Sequence, residues 1–124
     1  MIKFVATILV ACALVSCADE SSGGEGTSGS PGYSSAVNAV VDIWGGMYNV
    51  ADMQSGEPPL IVIHGTRDSV VSFDFAEDLV DRAQVVGVAC EFHPLEGVGH
   101  AAWGYIEEII ACVSPFLYRN AIVR

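Results

Sequence analysis

From about residue 35 onward the chain alternates short apolar runs with polar turns. Residues 36–43 (AVNAVVDI) and 60–63 (LIVI) are rich in β-branched residues and run into glycine-containing turns. This pattern predicts strands that are buried on both faces of a parallel sheet. Residues 88–93 (VACEFH) predict a third strand. A parallel connection needs about a dozen residues or more, so residues 47–53 predict a short helical crossover between the first two strands.

The first of two longer segments, residues 72–86, has apolar residues at helical spacing with acidic residues on the other faces. Its predicted core face consists of Phe73, Ala76, Val80 and Ala83. Ser72 is a suitable N-cap and Gly87 a suitable end for this helix. Asp78 and Arg82 stand four residues apart, which is the spacing of a weak surface ion pair.

The second longer segment, residues 101–118, also shows helical spacing. Its predicted core face consists of Trp103, Ile106, Ile110, Val113 and Leu117, with two glutamates off that face. Pro115 should kink or end the helix near its last turn, because proline has no backbone N–H to donate.

Strand, helix and strand in this order form a right-handed βαβ unit. Residues 34–124 therefore predict an α/β fold with about three parallel strands and flanking helices. Asp68 follows one predicted strand, and His100 follows the next in a glycine-containing loop. Ligands bind at the carboxyl edge of such sheets, so both side chains are expected at a binding edge. An acid that orients a histidine is the supporting part of a nucleophilic triad.

Three motifs carry a family resemblance. Residues 64–71 (HGTRDSVV) and 96–100 (EGVGH) resemble the acid and histidine motifs of the α/β-hydrolase superfamily, in its esterase and prolyl-peptidase-like branches. Residues 40–46 (VVDIWGG) are similar to the strand that follows the nucleophile unit in lipase-like esterases of this group. The resemblance covers about residues 33–117.

The resemblance implies a partial α/β-hydrolase fold with Asp68 as the triad acid and His100 as the general base. The implied reaction is hydrolysis of a carboxylic ester, or else of a peptide, through an acyl-enzyme. It implies no cofactor and no metal ion.

The nucleophile of this family belongs in a strand-turn-helix elbow of the form G-x-S-x-G, and the chain has no such pentapeptide. The nearest segment, residues 32–36 (GYSSA), runs into a strand rather than a helix, so Ser34 is not assigned as a nucleophile. The backbone donors of the oxyanion hole are missing with the elbow.

We therefore expect a truncated hydrolase that is inactive as an isolated chain. Two alternatives stay open: a non-catalytic, membrane-anchored binding lipoprotein, or one half of a split hydrolase that acts on a small ester only when complemented. Without the neighbouring nucleophile strand, residues 36–43 form an unprotected apolar edge, which favours strand pairing with another chain.

Residues 1–16 have the basic start and apolar run of a secretory signal. The end of this run, LVSC, resembles the lipobox of bacterial lipoproteins and implies lipidation of Cys17; an ordinary signal peptide is the alternative. Residues 17–33 are rich in Ser, Gly and Glu and predict a flexible tether. The expected location is the bacterial cell envelope, with export and a lipid anchor to the membrane.

The formal net charge is −10, from 15 Asp and Glu against 5 Lys and Arg, which argues against nucleic acid as a partner. His64 is interpreted as a structural residue and His93 as a partly exposed strand residue. The spacing of these two with His100 matches no standard metal site. Cys90 and Cys112 are either two buried free thiols or, in an exported protein, a disulfide.

Overall fold

A computed structural model describes residues 36–122, which form a three-stranded sheet. The strands are β1 (Val40–Ile43), β2 (Leu60–Gly65) and β3 (Cys90–Leu95), and both neighbouring pairs are parallel. The helices are α1 (Asp74–Val86) and α2 (Ile106–Leu117). The order β1-β2-β3 confirms the predicted α/β fold with its parallel strands. The crossover before β2 holds a short 3₁₀ helix, Val50–Asp52, within the segment predicted as a short helical crossover.

The central strand β2 is buried at all six positions, as its apolar run predicts. Successive side chains point to opposite faces of the sheet. Ile61 and Ile63 pack on one face in a cluster with residues of α2. Leu60 and Val62 pack on the other face with residues of α1. The sheet is therefore the shared middle layer of two cores.

Helix α1 confirms the predicted core face. Ala76, Val80 and Ala83 are buried, together with Leu79. The helix ends at Gly87, whose φ of 76° is the left-handed conformation that glycine adopts without strain. The prediction of Ser72 as N-cap is wrong. Phe73 holds that position without a side-chain cap, and Ser72 contributes only its carbonyl, which accepts from Phe75 N at 3.1 Å.

The predicted pair between Asp78 and Arg82 is also absent from the ion pairs of residues 36–122. The Arg82 guanidinium donates instead to the Met53 carbonyl, with Nη2 at 2.7 Å, and to the Ala51 carbonyl at 3.3 Å. A fork of N–H donors satisfies several carbonyls at once, whereas a single exposed ion pair contributes little. The hydrogen bonds of Arg82 thus link α1 to the crossover before β2.

The predicted core face of α2 is only partly correct: Val113 and Leu117 are partly buried against the cluster on this side of the sheet, as predicted. Ile109 and Phe116 are buried, whereas Ile106 and Ile110 are exposed by 40% and 54%. Apolar residues surround most of the helix, so spacing alone does not select a face. Residues Trp103–Tyr105 also form a 3₁₀ turn, which changes the angular position of Trp103 relative to α2.

Pro115 was predicted to kink or end the helix near its last turn. Helix α2 ends at Leu117, two residues after the proline, as predicted. The chain continues to wind as a π-helical turn, Tyr118–Ile122. The Asn120 side-chain amide donates to the Phe116 carbonyl at 3.0 Å in this turn.

Cys90 and Cys112 are free thiols. Cys90 packs against the cluster on the α1 face, and Cys112 packs against the cluster on the α2 face. The sheet separates the two sulfur atoms, so the disulfide alternative is ruled out. Burial, with nearby carboxylates, raises the pKa of the Cys90 thiol to about 11, which makes it unreactive at neutral pH.

Several sequence predictions lie outside the described residues. These are the signal segment 1–16, the tether 17–33, lipidation at Cys17 and the context of Ser34. Within residues 36–122, no helix has the length and apolar character needed to cross a membrane.

Asp42 is a buried carboxylic acid in β1, in register with Val62. One oxygen accepts from the Gly45 backbone N–H, and Oδ2 has no partner among the described residues. Burial raises the pKa of Asp42 to about 6, against the lowering effect of the Gly45 hydrogen bond. Folding therefore favours the neutral form of this side chain.

The corrected face of α2 predicts opposite outcomes for two adjacent isoleucines. Ile109→Ala should lower the free energy of unfolding by about 2–5 kcal/mol, because it leaves a cavity in the core. Ile110→Ala, at an exposed position, should change it by only about 0.5 kcal/mol. Urea denaturation of the two variants measures the difference. Equal losses would contradict the observed face.

The raised pKa of Asp42 predicts a stability that falls as pH rises. Between about pH 4 and pH 6 the unfolded chain ionises this group while the folded chain keeps it protonated, so stability declines by about 3 kcal/mol. Asp42→Asn should remove this decline. Denaturation curves at several pH values measure the difference between wild type and variant. If the free energy of unfolding fell with pH by the same amount in wild type and Asp42→Asn, the prediction would be contradicted. The other titrating groups are the same in both proteins.

Candidate active site

The candidate site lies where β2 and β3 end. Residues 65–71 leave the carboxyl end of β2, and residues 95–100 leave the carboxyl end of β3. The strands pair from Leu60 with Cys90 to Gly65 with Leu95, so both loops begin side by side. This is the sheet edge at which the sequence predicted Asp68 and His100 to meet.

Backbone hydrogen bonds join the two loops. Thr66 N donates to the Leu95 carbonyl at 3.0 Å, and Arg67 N donates to the Val98 carbonyl at 3.0 Å. The Thr66 hydroxyl accepts from Gly97 N at 2.8 Å. The pairing of β2 with β3 therefore continues past the strand ends.

Gly65 permits this close approach. A Cβ on Gly65 would overlap the Val98 carbonyl oxygen and would lie 2.8 Å from the carbonyl oxygen of Gly99. Real Cβ atoms do not approach backbone oxygens so closely, and both neighbours are backbone atoms without rotational freedom. Any side chain at this position would separate the loops.

The Asp68 carboxylate is held through both oxygens. Its Oδ1 accepts from the backbone N–H of Val70 at 2.8 Å and of Val71 at 2.9 Å. Its Oδ2 lies 2.7 Å from Nδ1 of His100. Burial alone would raise the pKa of Asp68, but the His100 hydrogen bond and the two backbone donors lower it below its usual value. Asp68 is therefore ionised at neutral pH.

The contact with Asp68 fixes the tautomer of His100. An ionised carboxylate only accepts hydrogen bonds, so the proton lies on Nδ1 and the neutral ring has an unprotonated Nε2. The side chain remains partly exposed, at 17%. A histidine with a free Nε2 and a carboxylate behind it can act as a general base.

Trp44 packs beside the His100 ring. Its indole is buried, with ring centroids 6.3 Å from His100 and 5.4 Å from Trp103. Trp44 follows β1 with a φ of 56°, a conformation that is strained for a bulky residue. Sequence reasoning missed this role, although Trp44 stands at the carboxyl end of a predicted strand, as Asp68 does.

His64 also reaches the acid. It is fully buried, and its Nε2 lies 2.9 Å from the Val71 carbonyl and 3.3 Å from Asp68 Oδ2. The sequence interpretation as a structural residue did not include this contact. The feature of the sequence that could have indicated this contact is that His64 precedes Asp68 by four residues, across a tight turn.

The remaining candidates do not join the site. His93 is partly exposed, as predicted, and its Nε2 lies 3.8 Å from a Glu91 carboxylate oxygen. Residues 36–122 contain no cluster of His, Cys, Asp or Glu suited to a metal ion. Within that range, the side chain that is hydrogen-bonded to His100 belongs to Asp68, and no hydroxyl or thiol is bonded to its ring.

Comparison with solved structures finds an esterase of similar fold. A thermophilic esterase from the Planctomycetes species Thermogutta terrifontis, esterase 2 in its native form, is 25% identical over 60% of this chain, with a TM-score of 0.54. The same esterase phosphorylated by paraoxon is 26% identical over 56% of the chain, also with a TM-score of 0.54. No protein-family model and no curated protein matches the chain.

The match is partial on both sides. The chain covers 30% of the length of each of these two esterase structures. The likeness supports the predicted partial α/β fold. The matched protein is an esterase, and its sequence identity to this chain is low. The chain is thus a distant structural relative of an esterase of the α/β-hydrolase type.

Proposed function

We propose that this chain supplies the acid–histidine half of a carboxylic ester hydrolase and needs a nucleophile that its own sequence does not provide in a G-x-S-x-G elbow. The observation that carries the proposal is the 2.7 Å contact between Asp68 Oδ2 and His100 Nδ1 at the sheet edge. The structural likeness to an esterase supports the choice of ester as the substrate class.

In this proposal the free Nε2 of His100 accepts the proton of an attacking serine hydroxyl as the hydroxyl oxygen bonds to the ester carbonyl carbon. The resulting imidazolium then donates the proton to the departing alcohol. Asp68 stabilises the imidazolium and keeps the ring in the required tautomer. In the second half of the reaction, His100 accepts a proton from the water that attacks the acyl-enzyme. It then donates this proton to the departing serine oxygen.

A split hydrolase is the form that the exposed surfaces favour. Among the described residues, β1 pairs only with β2. Trp103, Ile106 and Ile110 present exposed apolar area on the segment that follows His100 in the chain. A second chain that adds a strand to β1 and carries the nucleophile would cover the open strand edge. A non-catalytic binding lipoprotein remains the alternative, and we propose the cell envelope, through Cys17, as the setting for either.

The proposal predicts no His100-dependent hydrolysis by the full chain alone. With p-nitrophenyl butyrate, release of nitrophenol should match that of the His100→Ala variant, because no elbow serine is present to be activated. After addition of a second chain that carries a strand, a G-x-S-x-G turn and a helix, hydrolysis should appear. It should fall by about 10²- to 10⁴-fold with His100→Ala.

His93→Ala is the matched control, since His93 lies outside the site, and it should leave the complemented rate unchanged. Turnover by the isolated chain that disappears with His100→Ala would overturn the inactive interpretation. Complex formation without any hydrolysis would favour the binding lipoprotein.

Gly65→Ala should break the pair without touching either of its members. The new methyl group overlaps the Val98 and Gly99 carbonyls, so the loops separate and His100 loses contact with Asp68. The pKa of Asp68 should then rise toward its usual value, and stability should fall by about 1–3 kcal/mol. Carboxyl ¹³C titration and urea denaturation measure the two effects.

Gly104→Ala is the control, because a Cβ there meets no atom within 4 Å. An unchanged Asp68 titration in Gly65→Ala would show that the close approach is not what maintains the pair.

A further inference from the structure

Two imidazole rings converge on one oxygen of Asp68. His100 Nδ1 lies 2.7 Å from Oδ2, and His64 Nε2 lies 3.3 Å from the same atom. The side chains of His64 and Asp68 are both fully buried. Solvent does not compete for either group, so the arrangement of donors around the carboxylate is set by the protein.

The proton of His64 can be placed from its partner. Nε2 lies 2.9 Å from the carbonyl oxygen of Val71, and a carbonyl oxygen only accepts hydrogen bonds. The proton is therefore on Nε2. Asp68 Oδ2 lies 3.3 Å from the same nitrogen, in close contact with the donor although the hydrogen bond itself goes to Val71.

The surroundings of His64 leave the ring one orientation. His64 belongs to β2, the central strand, which is the most rigid place from which to support a loop. The Phe73 ring packs against it edge-on, with centroids 5.9 Å apart. Nδ1 is buried without a partner among the described residues, so the Nε2 hydrogen bond is the polar contact that orients the ring.

Val71 links His64 to the acid through both ends of its backbone. Its N–H donates to Asp68 Oδ1 at 2.9 Å, while its carbonyl accepts from His64. Two hydrogen bonds therefore connect β2 to the acid: one from His64 to Val71, and one from Val71 to Asp68. A rotation of the carboxylate would break the Val71 bond and move Oδ2 away from both imidazoles.

We propose that His64 is a positioning residue of the acid: its Nε2–H donates to the Val71 carbonyl, whose own N–H donates to Asp68 Oδ1, and this holds the carboxylate with Oδ2 aimed at His100. The role of the aimed carboxylate in ester hydrolysis rests on the proposed function. The positioning itself is a property of the chain alone.

The first test reads the tautomer of the wild-type full chain labelled with ¹⁵N-histidine. Two-bond ¹H–¹⁵N correlations, or solid-state ¹⁵N shifts if the protein associates, distinguish the two ring nitrogens. The proton of His64 is expected on Nε2 and that of neutral His100 on Nδ1. A His64 ring without a proton on Nε2 would overturn the proposal, and this test requires no variant.

The second test compares His64→Leu with His64→Gln, whose amide N–H reaches about the position of Nε2. Carboxyl ¹³C titration of Asp68 reports the donor. His64→Leu should raise the midpoint, because the Val71 N–H that lowers the pKa of Asp68 loses its support and the nearby Nε2–H is removed. His64→Gln should restore most of the wild-type value. His93→Gln, at a partly exposed position, is the control and should leave the midpoint unchanged.

In the complemented hydrolase, His64→Leu should lower kcat by about 10- to 100-fold with KM unchanged, and His64→Gln should recover much of it. An Asp68 midpoint that is the same in wild type and His64→Leu would contradict the proposal. If His64→Leu does not fold, the proposal is tested by the tautomer of His64 in the wild type and by the Asp68 titration in His64→Gln. Because the titration needs no turnover, a failure of complementation alone counts against the proposed function and not against this role of His64.

Discussion

The hydrogen bond between Asp68 and His100 depends on a backbone approach that only glycine allows. At Gly65 the loop after β2 passes against the carbonyls of Val98 and Gly99, with no room for a Cβ. The hydrogen bonds of Thr66 and Arg67 to the neighbouring loop follow from the same approach. The two ionisable side chains are thus brought together by strand pairing that extends beyond the strands.

This approach is available because β2 is buried on both faces and leaves its polar groups at one end. Ile61 and Ile63 serve one core, while Leu60 and Val62 serve the other. His64, the last side chain of the strand, faces the acid turn and is the buried polar group next to it. The same rigid strand therefore provides both the stability of the fold and the support of the site.

The site has the parts that can hold and move a proton. Asp68 is kept ionised by three N–H donors, and His100 presents an unprotonated Nε2. These groups acquire a catalytic use only beside a hydroxyl nucleophile and donors for the oxyanion. In the proposed split form, a nucleophile-bearing chain would cover the exposed apolar residues of α2 and the edge of β1 that is unpaired among the described residues.

The sequence by itself determined the parallel strands, the core face and glycine end of α1, and the meeting of Asp68 with His100, because these follow from local periodicity and from the rule that parallel strands share one carboxyl edge. Only the tertiary structure decided which side of the apolar helix α2 faces the sheet. It likewise decided that Arg82 binds carbonyls and that Cys90 and Cys112 lie on opposite faces. The contact of His64 with Asp68 belongs to this second group, since it depends on the path of the turn between them. These outcomes depend on the distance and direction between elements, which the spacing of residues along the chain does not encode.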